Sequence, residues 1–159
     1  MVDDCENIAR LLFSDYMVTH LTGQLTAASF PTEELLEKPG KDGQPRSVSV
    51  DRCNKIDPLN ETLEEKARVF ENPDKDRVGW GFAVCEVAEV RGIFSSDKKQ
   101  VYDVFPDPIF GGSHPKWDQA HAKLVRASSS HSRSLVRGSR DKLVELFQAN
   151  LHQFGVAYP

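Results

Sequence analysis

Apolar and polar positions alternate most cleanly over residues 47–51 (SVSVD), which predicts a β-strand. Residues 78–85 (VGWGFAVC) carry no charge over a strand's length, which predicts a central strand with both faces covered. Gly79 and Gly81 flank Trp80 in that run and predict a close backbone approach or a bulge. In residues 99–105, Val101, Asp103 and Phe105 alternate with Tyr102 and Val104, and a further short strand is expected over 25–30, ahead of Pro31.

Helical spacing dominates elsewhere. Ile8, Leu11, Leu12, Asp15, Tyr16 and Thr19 recur at three- and four-residue intervals, with Asp3, Asp4 and Glu6 at the start where a helix dipole favours acids. Residues 3–21 are therefore expected to be an amphipathic helix ended by Gly23. Asn60 is expected to cap a helix with Leu63, Ala67 and Phe70 on its apolar face, stopped by Asn72-Pro73. One helical turn is expected within TEELLEK before the GKDGQP loop, and one or two turns over EVAEVRG, closed by Gly92. Ser139 is expected to cap a final helix over 140–153 carrying Leu143, Val144, Leu146, Phe147 and Leu151. Pro106, Pro108, Gly111, Gly112 and Pro115 enforce an irregular loop, residues 116–126 fit helix or strand equally, and the Ser-rich stretch 126–139 reads as a mobile basic loop. Four strands mixed irregularly with helices predict a single compact α+β domain over 1–159, with a small mixed or antiparallel sheet and flanking helices, expected to be monomeric.

Composition narrows the class. A hydrophobic fraction of 39%, a charged fraction of 28% and nine Phe suit a globular domain with a real core. The net charge of −4 argues against a basic nucleic-acid binder. Cys5, Cys53 and Cys85 are odd in number and far apart, so neither a disulfide framework nor a CxxC zinc pair is expected. Arg52 beside Cys53 would lower that thiol's pKa if the side chain were exposed. The acidic start lacks the layout of a signal peptide, and no apolar run approaches the ~20 residues that span a bilayer. A cytoplasmic location away from any membrane is the expectation.

Candidate chemistry concentrates at DPIFGGSHPKWDQAHAKLVR, where His114, Asp118 and His121 lie four and three residues apart. A helix opened by Pro115 would bring all three to one face, as acid/base groups or as metal ligands, with Asp103, Asp107 and His131 available to complete a set. Whether a metal binds there is left open, and no cofactor is expected. Arg126, Arg133, Arg137, Arg140 and Lys142 stand among serines, a mixture suited to phosphate or nucleic-acid contact, because guanidinium grips phosphate in a bidentate way. Asp51-Arg52 closes a strand where side chains reach clefts. The chain carries no GxSxG, P-loop, GxGxxG or HExxH motif.

The order GQLTAASFP, RSVSVDR, GWGFAVCEVAEVRGI, then DPI followed by QAHAKLV, resembles small uncharacterised bacterial proteins over roughly residues 20–126. The resemblance implies a bacterial origin and a compact α+β domain, and it carries no activity and no functional residue. Two function classes are expected. The first is a cytoplasmic accessory protein that binds another protein, with Phe105, Ile109, Phe110 and Trp117 as the residue types that anchor interfaces. The alternative is a small hydrolase or transferase on a phosphate-bearing or nucleic-acid substrate, using His114, Asp118 and His121 with the basic segment 126–142.

Overall fold

The computed structural model describes residues 1–14, 16–19, 21–75 and 77–155. The uncharged run forms β3 (Val78–Glu86), in which Phe82 and Val84 are buried as expected of a covered strand. It pairs with β1 (Asn7–Ser14) along that strand's whole length. The other strands are β2 (Val48–Arg52), β4 (Tyr102–Pro106), β5 (His121–Arg126) and β6 (Leu151–Gln153). All pairings are antiparallel, in the order β4-β5-β2-β1-β3-β6, and helices flank this six-stranded sheet in an α+β fold. β3 is thus interior but only one strand from the edge, covered there by the three residues of β6.

Both expectations for its glycines hold. Leu12 pairs with Gly81 and Phe13 with Gly79, which leaves Trp80 as the extra residue of a β-bulge. A Cβ on Gly81 would sit 2.0 Å from the His152 carbonyl oxygen on β6, so only glycine lets that strand dock. Gly81→Ala is accordingly expected to destabilise the protein by about 2–3 kcal/mol through overpacking against a backbone that cannot give way. Chemical denaturation reads this, and an unchanged midpoint would contradict the close approach.

Directly paired residues share a face, so Ser49, Asp51, His121 and Lys123 point one way while Val48, Val50, Ala122 and Leu124 point the other. α2 (Leu59–Phe70) lies over the first face, burying Leu63 and Ala67 and sending Lys66 to Asp51. α4 (Arg133–Gly138) lies over the second, where Tyr102 donates its hydroxyl to the Val136 carbonyl. α1 (Thr32–Leu35), α3 (Val87–Arg91) and α5 (Arg140–Gln148) complete a contiguous core in which Phe30 meets Phe147 at 5.0 Å between ring centres. Each large side chain buried there contributes roughly 1.5–3 kcal/mol.

Five expectations are corrected. Residues 7–14 are a strand, not part of a helix over 3–21: every position from Ile8 to Phe13 is buried, and a run covered on both faces has no period to read. Asp15 lies outside the described residues. Two of the acids ahead of it serve tertiary pairs instead of a helix end: Asp4 pairs with Arg91, and Glu6 accepts from Arg52 at 2.7 and 2.8 Å, which holds its carboxyl below the usual glutamate range. Gly23, at φ 64°, closes a turn between bridged Val18 and Leu25, and residues 27–29 form a 3-10 turn capped by Thr26 where a strand was expected.

Asn60 does not cap α2, which begins one residue earlier at Leu59 and has no side-chain cap. The Ser-rich stretch contains α4, because Ser132 accepts from the Leu135 amide as a cap and Val136 is apolar enough to bury. The final helix stops at Gln148, without a side-chain cap from Ser139, and residues 151–153 leave it to pair with the exposed side of β3.

Candidate functional site

β1 and β2 part company early. Their ladder holds only Ile8 with Arg52 and Ala9 with Asp51, after which β1 follows β3 and β2 follows β5. Arg10 fills the fork. Its Nη1 donates to the Ser49 carbonyl at 2.9 Å, satisfying a β2 acceptor, and its Nε donates to the carbonyl of Ser29, at the end of the 3-10 turn over 27–29, at 3.0 Å. The side chain is 7% exposed, and burial pulls the guanidinium below its usual pKa, opposed by the nearby Glu34 carboxylate. Nη2 has no hydrogen-bond partner among the described residues.

The fork opens into a cavity of about 510 Å³, within the range of small-molecule sites. Leu11, Phe13, Met17, Pro31, Phe70 and Ile109 supply its apolar wall. Lys66 donates to both oxygens of Asp51, at 2.6 and 2.8 Å, with side chains 8% and 3% exposed. Arg77 stands over the Phe13 ring at 4.0 Å, donating to the Phe70 carbonyl and the Tyr16 hydroxyl. Among the described lining residues Arg10, Lys66 and Arg77 face Glu34 and Asp51, one positive charge more than negative, in a protein whose net charge is −4.

His121 reaches the same cavity from β5, where it pairs in register with Asp51. Its Nδ1 lies 2.7 Å from the Asp107 carbonyl oxygen and 3.4 Å from that residue's Oδ2. A carbonyl can only accept, so Nδ1 carries the proton, and in the neutral ring Nε2 is the bare nitrogen. Nε2 faces the Ser49 hydroxyl at 3.2 Å. The Asp107 amide donates back to the His121 carbonyl at 3.0 Å, which ties the loop residue to the strand.

The expected trio does not assemble. The backbone is a 3-10 turn over Asp118–Ala120 and then β5, so 114, 118 and 121 share no helical face. His114 stacks on Trp117 at 4.7 Å, and Asp118 is buried, taking the His114 amide at 2.9 Å as a brace for the loop. Neither lines the cavity. Among the described residues no group of three His, Cys, Asp or Glu side chains is placed to hold a metal ion. Of the further ligands considered, Asp103 pairs with Arg91, and His131 is buried against the Gln100 carbonyl.

The basic segment is dispersed. Arg126 donates to the His131 carbonyl, Arg133 pairs with Glu33, Arg140 donates to Thr32, Lys142 donates to the Phe94 carbonyl, and Arg137 is exposed. Trp117 is buried, whereas Phe110 is 82% exposed. Cys53 is half-buried, and burial, seconded by Asp51, pushes its thiol up to about 12, the reverse of the activation expected from Arg52.

Arg10, Ser49, Lys66 and Arg77 were not among the residues singled out from sequence. Two carry a signal: Arg10 interrupts the apolar run IARLLF, and Lys66 stands three residues from Leu63 on the buried face of α2. No protein family, curated protein or solved structure matches the chain.

Proposed function

We propose that this protein binds a small oxyanion-bearing molecule, carrying a phosphate or carboxylate, in the fork cavity. One observation carries the reading: a buried guanidinium that lines the cavity and keeps Nη2 free of any described partner. Nε and Nη1 are anchored to backbone, so the free nitrogen is held in place and little conformational freedom is lost on binding. The apolar wall suits the organic body of the ligand, and the local positive excess suits its charged end. The phosphate chemistry expected of residues 126–142 thereby moves to Arg10 and Arg77.

Titration with phenyl phosphate, followed by amide and arginine side-chain NMR signals, tests this. Saturable shifts at Arg10, Phe13 and Phe70 are expected at millimolar ligand, lost in Arg10→Met. Shifts spread over the surface, or equal in the variant, would refute it.

Action by binding another protein is the second reading, favoured by Phe110, which stands exposed beside the partly exposed Ile109. Wild type and Phe110→Ser retaining the same companions from native extract would dispose of it.

A further inference from the structure

We infer that Ser49 is a nucleophile activated by His121, and that the protein hydrolyses carboxylic esters of oxyanion-bearing molecules. This rests on the cavity reading above and names what happens to the ligand there. Nucleophilic catalysis by serine needs a hydroxyl beside an unprotonated imidazole nitrogen, a ring held in one tautomer, and an acceptor steadying the protonated ring. Ser49 Oγ lies 3.2 Å from His121 Nε2, and the Asp107 carbonyl at 2.7 Å forces the proton onto Nδ1. The Asp107 carboxylate, 3.4 Å from Nδ1, is placed to favour the imidazolium once it forms. All three sit on a rigid frame: Ser49 on β2, His121 on β5, and Asp107 tied to His121 by its own amide.

The site has its place for substrate. Ser49 lines the cavity, and its carbonyl accepts from Arg10, so the buried guanidinium stands next to the nucleophile. The substrate's oxyanion rests on Nη2 of Arg10. The Ser49 hydroxyl proton passes to Nε2 as Oγ bonds to the ester carbon, and the positive charges of Arg10 and Arg77 in the cavity lining favour the oxyanion that develops there. The carbon–oxygen bond to the leaving alcohol then breaks, and that alcohol takes the proton from Nε2. Water attacks the Ser49 ester in turn, giving its proton to Nε2. Oγ leaves with that proton, and the carboxylic acid is released with the side chains restored.

An alkyl fluorophosphonate tests the nucleophile directly, since Oγ bonds to phosphorus as fluoride leaves. Intact mass and peptide mapping of the full chain are expected to place one adduct on Ser49. Ser49→Ala should take none, His121→Gln should slow labelling by about 100-fold, and phenyl phosphate should protect wild type. Both variants should keep the circular dichroism spectrum and the cooperative unfolding transition of wild type, which shows that they are folded. No adduct, an adduct elsewhere, or equal labelling in His121→Gln overturns the inference, and with phenyl phosphate still bound it leaves the cavity reading standing. Labelling of Ser49 without phenyl phosphate binding overturns the cavity reading and with it the oxyanion-bearing substrate.

Discussion

Asp51→Ala is expected to destabilise the protein by about 3–5 kcal/mol, because it strands the buried ammonium of Lys66 without a counter-ion. The pair is almost wholly out of water, and both Asp51 oxygens accept from Nζ. A surface ion pair would lose about 1 kcal/mol or less. The double variant Asp51→Leu, Lys66→Met should recover most of the loss, since removing both charges removes the desolvation cost along with the attraction. Denaturant midpoints for Asp51→Leu, for Lys66→Met and for the double close the cycle and settle it. Additive losses in that cycle would mean the two side chains are not coupled as their geometry requires.

Arg10→Met is expected to combine a stability loss with loss of binding. The Ser49 and Ser29 carbonyls lose their donors inside the fork, and each buried acceptor left unpaired costs about 1–3 kcal/mol. Methionine keeps much of the side-chain volume, so the loss reports the hydrogen bonds more than a cavity. Calorimetric unfolding should show the lower stability, and phenyl phosphate should raise the unfolding temperature of wild type but not of the variant. Arg10→Lys separates the effects: it keeps the charge but cannot span both carbonyls and the ligand with one fork of donors. Wild-type stability in Arg10→Met would mean the strands close over the gap without it.

Local signals were sufficient for part of the fold. The alternation of SVSVD, the uncharged run at 78–85, the apolar face of α2 and the Gly92-closed turns of α3 all matched their structures. They failed where burial is two-sided or where small polar residues serve as caps. NIARLLFS satisfies a helical template because most of it is apolar, and only pairing with β2 and β3 makes it a strand. SSSHSRSLVRG reads as loop by composition, yet one Ser132 cap and two apolar residues are enough for α4.

The site divides along the same line. His121 stood out in sequence, and so did the neighbourhood of Asp51, but their partner Ser49 lies 72 positions from His121, and no spacing rule spans that distance. The register of β2 against β5 sets Ser49 against Nε2, and a one-residue slip would turn it to the opposite face. Sequence chemistry already decides that a charge interrupts each of two apolar stretches, at Arg10 and Lys66, and that such charges must find partners once buried. Which partners they find is a matter of where the β1–β2 ladder ends and which helix covers that face, because these follow from long-range pairing that no local window contains.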